Sequence, residues 1–174
     1  MKKLKKFISV ILLSCLFLCT IQGTVFASNY ILSGTGHNTA SVSVNSIGMS
    51  IYKSYWYSSR DAWNNSCYKV NLSDTYTETN HRIDEMPFPD AWYGLTLKTP
   101  AGSRCTDFQI LINTQTCTSS IVQSTIVHEL GHVLNLGDND LVVSPNNSIM
   151  NRYRDRTILK TPTSDDVAGV MATY

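Results

Sequence analysis

The chain has 174 residues, of which 43% are hydrophobic and 16% charged, and its 14 basic and 13 acidic groups give a formal net charge of +1. That length suits one domain with one core. The balance of charge, with no cluster of basic and aromatic residues, argues against nucleic acid as a partner.

Met1 to Lys6 carries four lysines, Phe7 to Ile21 is mostly apolar, and Val25-Phe26-Ala27 has the small residues of a processing site. This is the order of a secretory signal peptide, residues 1–27, cut after Ala27. The apolar run is short for a membrane span. The remaining 147 residues, 28–174, hold ten basic and 13 acidic groups, a net charge of −3, because the leader takes four lysines and no acids with it. The expected product is exported, monomeric, and free of membrane once the leader is gone.

In the mature part, Ser41 to Val44 alternates and predicts a strand. Ile47 to Asn65 predicts a first helix, with Ile51, Tyr55, Trp56 and Trp63 near helical spacing; such aromatics are core residues before they are a cofactor box. Tyr68 to Leu72 alternates again, and Thr75 to Arg82 is a candidate strand. Met86 to Asp90 breaks regular structure. Trp92 to Lys98 predicts a strand closed by Pro100-Ala101-Gly102. Phe108 to Ile112 is nearly all apolar, as in a strand covered on both faces. Thr118 and Ser119 are candidate N-caps for a following helix, along which Val122, Ile126, Leu130 and Val133 form one apolar stripe. Thr163 or Ser164 caps a short last helix, with Asp165 and Asp166 in its first turn. Three cysteines remain, Cys67, Cys105 and Cys117. Export permits one disulfide, and Cys105–Cys117 is the expected pair because both flank one predicted strand; no Cys-x-x-Cys spacing suggests a metal site.

The most informative stretch is His128-Glu129-Leu130-Gly131-His132. Residues four apart share a helix face, so His128 and His132 can hold one metal ion. Glu129 points roughly 100° away and can reach a water at that metal as a general base. Both histidines lie off the apolar stripe, which argues against a role as core residues. A catalytic zinc takes three protein ligands and one open position. No His follows His132 and no Glu follows Glu129, so a downstream third ligand must be an Asp. Asp138 is the nearest, with Asp140 as its rival. A continuing helix would carry Asp138 about 240° round from His132, so the helix must end and the chain double back. Asn135 tolerates the left-handed conformation that ends a helix, and Gly137 is expected to loosen the turn.

His128 to Asp138 resembles the extended zinc signature of the metzincin metallopeptidases. Ser148-Ile149-Met150-Asn151 resembles their Met-turn, and Thr163 to Val170 resembles the start of the closing helix in the matrixin branch. More weakly, Ser59 to Asn64 is similar to their first helix and Asp107 to Asn113 to the strand before the zinc helix. Most members have Gly where Asn135 stands and His where Asp138 stands; Asp as third ligand resembles the snapalysin-like branch. The resemblance implies a single α/β (α+β) domain with a mixed five-stranded twisted sheet, a first helix, an active-site helix and a C-terminal helix. It implies zinc on His128, His132 and Asp138, Glu129 as catalytic base, and Met150 as a structural floor beneath the metal. Trp92, Tyr93, Gly94 and Leu95 then fall on the edge strand above the cleft, which can bind an extended peptide or be an ordinary edge. Tyr153 is a further candidate substrate contact, one residue beyond the place of a transition-state tyrosine in some members. Arg152, Arg154 and Arg156 either form a solvated loop or line the substrate pocket that matrixin-like chains build after the Met-turn. A structural calcium has only analogy behind it, with no ligand loop. The expected activity is that of a secreted zinc metalloendopeptidase acting on protein or peptide. The alternatives are a catalytically silent zinc- or protein-binding module, and a different zinc class with Asp165 as a distant ligand.

Overall fold

A computed structural model describes residues 29–174; the expected signal peptide and its cut lie outside the described residues. Five strands form one sheet: β1 (Ser41–Asn45), β2 (Asn71–Thr75), β3 (His81–Met86), β4 (Gly94–Ala101) and β5 (Arg104–Asn113). Their spatial order is β2-β1-β3-β5-β4. The first four are parallel neighbours, and β4 runs antiparallel to β5 at the edge. Helix α1 (Lys53–Ser66) follows β1, α2 (Val122–Val133) follows β5, and α3 (Ser164–Thr173) closes the chain after a short 3-10 turn at Pro145–Asn147. This is the mixed five-stranded, three-helix domain implied by the sequence.

One face of the sheet makes the core. Val42 and Val44 of β1, Leu72 of β2, Ile83 of β3 and Phe108, Ile110 and Ile112 of β5 are all buried. The apolar stripe of α2 lies against them, with Val122, Ile126, Leu130 and Val133 fully buried. Trp56 and Trp63 of α1 are also fully buried, and each indole N–H has a partner: Trp56 donates to Asp74 at 3.0 Å and Trp63 to the Val127 carbonyl at 2.9 Å. That second bond ties α1 to α2, just before His128. Buried indoles need such partners, because an unpaired N–H in a core is costly.

Several local expectations shift. The first helix begins at Lys53, so Ile47 and Ile51 lie before it and are exposed. The strand expected over Thr75–Arg82 begins only at His81: β2 ends at Thr75, and residues 76–80 connect it to β3. β4 continues through Pro100 by way of an irregularity between Thr99 and Pro100, which an edge strand tolerates because the missing N–H need not be bonded. The second face of β5 is covered only in part, since Leu111 is buried but Gln109 is half-buried. Thr118 and Ser119 do not cap α2. Its N-cap is Ile121 without a side-chain bond, and the Thr118 carbonyl accepts from Ile121 and Val122 in a preceding turn. Thr163 does cap α3, in a reciprocal capping box with Asp166.

The expected Cys105–Cys117 bridge is absent: Cys67, Cys105 and Cys117 are all free and buried. Cys105 is the second residue of β5 and Cys117 follows its far end. At about 3.3 Å per residue the strand holds their ends roughly 25 Å apart, far beyond the reach of a disulfide. Flanking one strand put them at opposite ends of it.

Candidate metal centre

His128 and His132 stand one turn apart on α2, with ring centroids 4.7 Å from each other. Each ring is fixed at its far nitrogen. Nδ1 of His128 lies 3.0 Å from the Ile149 carbonyl, and Nδ1 of His132 lies 2.9 Å from the Leu136 carbonyl. A carbonyl only accepts, so each Nδ1 carries the hydrogen and each Nε2 keeps a lone pair. Those two Nε2 atoms face the Oδ1 of Asp138 at 3.3 and 3.7 Å. One atom from each of the three residues lies within 4.8 Å of the others, so the cluster can hold a metal ion. Donors bound to zinc at about 2.0–2.1 Å in a tetrahedral array stand roughly 3.4 Å apart, which this spacing matches.

Three acceptors turned toward one another need a shared cation. The hydrogen bond with His128 is the first cause that holds the Asp138 carboxyl down to about 2. Burial, followed by the charge of His128, pushes the His132 imidazolium below its ordinary value. Both shifts favour the metal-binding forms, carboxylate and neutral imidazole. Arg152 holds the other Asp138 oxygen, Oδ2, at 3.4 Å, and its Nε lies 3.1 Å from Asp140. Asp140 therefore sits on the outer side of Arg152, outside the group. Asp165 accepts from the Asn29 N–H at 2.8 Å and does not join it either.

The chain doubles back by a specific turn. Asn135 has φ 73°, the left-handed conformation. The Leu136 N–H donates to the Gly131 carbonyl at 2.9 Å and that of Asn135 to His132 at 3.3 Å, a paired helix termination. Asn135 does more than a glycine could: its Oδ1 accepts from the Gly36 N–H at 2.9 Å and from the Ser33 hydroxyl at 3.2 Å. A Cβ on Gly36 would collide with Asn135, so Gly36 makes this approach possible. Gly137 has no positive φ; it admits Ile31, whose carbonyl accepts its N–H at 2.7 Å. Its part is close contact rather than looseness.

Met150 is buried and lies under the helix, where a Cβ on Gly131 would run into its sulfur. The preceding residues are tied to α3, since buried Asp166 accepts from the Ser148 hydroxyl at 2.6 Å and the Ile149 N–H at 2.8 Å. One chain of bonds thus runs from Asp166 through Ile149 to the His128 ring.

Glu129 is 5% exposed and lies beside the cluster without belonging to it. Thr96 of β4 reaches across and donates to its Oε2 at 2.7 Å. A Cβ at Gly94 would come within 2.9 Å of Oε1, so glycine keeps β4 close to this carboxylate. Trp92, Tyr93, Gly94, His128, Glu129, Arg154 and Arg156 are among the residues lining a cavity of about 280 Å³ next to the histidines. Leu95 is on the outward face of β4, and Tyr153 is exposed and takes no part in the cavity. A larger cavity of about 430 Å³ lies between Thr79, Arg82, Leu97 and Gln109; none of the cluster reaches it.

Thr96, Asp166, the anchoring side chain of Asn135 and the support that Arg152 gives Asp138 were not legible in the sequence, where Arg152 stood only as a candidate pocket residue. Their partners lie 33, 17, 99 and 14 residues away, so only the fold joins them. The capping-box spacing was the one local sign of Asp166.

No family model and no curated protein sequence matches the chain. A solved structure of myroilysin does match, with a TM-score of 0.55 and 11% sequence identity over 83% of this chain and 98% of that one. The domain shares the fold of myroilysin, and the His128–His132–Asp138 cluster is a possible metal site within that fold.

Proposed function

We propose that the protein is a zinc-dependent metalloendopeptidase, exported by its N-terminal leader, in a matrixin-like or snapalysin-like branch of the metzincins. The observation that carries the reading is the convergence of two imidazole lone pairs and the Asp138 carboxylate, with Glu129 buried beside them and clear of them. Zinc on these three residues would supply a Lewis acid that makes water more acidic and polarises a peptide carbonyl. Glu129 accepts the proton from the attacking water and returns it to the departing amine. Thr96 fixes the Glu129 carboxylate through Oε2, which leaves Oε1 for the water. β4 is the open edge of the sheet, so an extended peptide can add to it as a strand and pass across the cluster.

The test is metal analysis of the purified protein, with cleavage of casein measured before chelation, after it, and after zinc is restored. One zinc per chain and activity that follows the metal are expected. Bound zinc without cleavage of any peptide would identify a silent binding module.

A further inference from the structure

The cavity beside His128 is lined by two guanidiniums, Arg154 and Arg156, and a single carboxylate, Glu129. Arg154 is 3% exposed, yet its guanidinium bonds only to neutral groups: the Ser124 hydroxyl and carbonyl at 3.1 and 3.2 Å and the Asn151 carbonyl at 2.9 Å. Arg156 is half-buried and lies over the Tyr93 ring, 5.1 Å from its centroid. Among the described residues, the nearby carboxylates are engaged elsewhere. Asp138 and Asp140 pair with Arg152, Asp155 bonds its own Thr157, and Asp166 accepts from Ser148, Ile149 and Thr163. The one acid lining the cavity is Glu129, whose carboxylate faces Thr96 and the cluster.

Building on the peptidase reading above, we propose that this cavity selects a carboxylate, the side chain of an Asp or Glu adjacent to the bond that is cut. Two guanidiniums and one carboxylate, Glu129, line the same cavity, which leaves an excess positive charge for an anion that comes with the ligand. Burial, and then the charge of Arg156, hold Arg154 down to about 9, against the opposing pull of Glu129, Asp166 and Asp138. Guanidinium forks match carboxylates in shape, and such bonds gain strength in a site shielded from water. A cavity of about 280 Å³ has room for a glutamate side chain. Arg154 also joins α2 to the turn after Met150 and has a share in the fold, whereas Arg156 has no hydrogen bond to the framework among the described residues. Arg156 is therefore the position to vary.

The test uses acetylated, amidated peptides with cut sites mapped by mass spectrometry, followed by matched Glu and Gln peptides. We expect acidic residues enriched at one position flanking the cut, and a Glu-over-Gln advantage in kcat/KM of about tenfold or more. Arg156→Gln should shrink that ratio several-fold, and Arg156→Glu should turn the preference toward Lys. Cleavage with a ratio near one, or a ratio that ignores Arg156, overturns the proposal. A peptide whose free terminal carboxylate beats its amide, while the Glu and Gln pair are equal, assigns the cavity to chain ends instead. If no peptide is cut, the peptidase reading fails and the cavity is judged by binding alone. Fluorescence anisotropy of the same Glu and Gln peptides on zinc-loaded Glu129→Gln protein must then show the Glu peptide tighter, and equal binding sinks the proposal.

Discussion

Along α2 and the turns that follow it, each group of the cluster is held from behind. Both histidine Nδ1 atoms rest on carbonyls, Asp138 rests on Arg152, and the Ile149 that supports His128 is itself bonded to Asp166. Across the cleft, β4 exposes Leu95 and Leu97, with exposed Tyr93 just before it, and its edge hydrogen bonds are open to a ligand. One wall is overdetermined and the other permissive. The rigid wall suits chemistry that fails if an atom moves by an ångström, and the permissive wall suits substrates that differ in sequence. Damage on the α2 side should abolish function, and damage on the β4 side should only scale it.

The largest effect is expected at Glu129. Glu129→Ala removes the base without removing a ligand, so zinc should stay at one per chain while turnover falls by about 10²–10⁴-fold. Metal stoichiometry and peptide cleavage should be read on the same sample. Turnover near that of the parent protein would sink the mechanism, and lost zinc would make Glu129 a ligand.

Next comes the third ligand. Asp138→Ala should weaken zinc binding by more than about 100-fold, since even supporting residues of metal sites cost 10–100-fold. Asp140→Ala should cost far less, because Asp140 touches the cluster only through the exposed Arg152. Competition with a chelator ranks the two, and the reverse order would move the ligand to Asp140.

Acid should release the metal in a defined direction. His132 is buried and its imidazolium is pushed below the ordinary value near 6.5, while Asp138 is held down to about 2. Both folded-state values lie below those of the unfolded chain, so both groups favour the folded, metal-binding forms at neutral pH. That contribution is lost as pH falls: first through the His132 range below 6.5, and only much later through that of Asp138. Zinc retention against pH should therefore fall in a step below 6.5. Asp138→Asn should lower affinity across the whole range and move the retention step to higher pH, because protons compete more readily for a weaker site.

How much of this was legible follows from the range of each interaction. His128, Glu129 and His132 lie within one helical turn, so spacing alone placed them, and the stripe of Val122, Ile126, Leu130 and Val133 placed the helix face. Asn135 was readable as a helix end because its residue type limits the backbone choices. The strands were legible as alternations, but their ends were not: β2 and β3 each sit a few residues later than expected because pairing with β1 and β5 decides where they stop. The disulfide failed because adjacency to one strand says nothing about which end a cysteine occupies. Thr96 failed because a threonine in a strand has no distinguishing pattern until the register sets it opposite Ile110 and beneath Glu129.

Met150 tests the floor of the rigid wall. Met150→Leu conserves volume and should cost less than about 1.5 kcal/mol while zinc and most activity remain. Met150→Ser leaves a cavity and an unpaired hydroxyl under α2, and should cost about 2–5 kcal/mol. Melting curves would separate the two, and equal tolerance would deny the residue its place in the core.

The smallest effect is expected where the permissive wall touches the rigid one. Thr96 donates to Glu129 Oε2 at 2.7 Å from the middle of β4, and also to the Glu129 carbonyl at 3.1 Å. Thr96→Val keeps the shape of the side chain and the strand propensity, but removes the only side-chain hydroxyl that bonds to this carboxylate among the described residues. A hydrogen bond to a charged group contributes about 1.5–3 kcal/mol, and here water can replace part of it. The expected loss is about tenfold in kcat, with KM and zinc content little changed, because the residue orients the base and binds neither substrate nor metal. Thr96→Ser restores the hydroxyl and should recover most of the rate. If Ser and Val behaved alike, packing of β4 on α2 would be what Thr96 supplies, and Glu129 would owe its orientation to the helix alone.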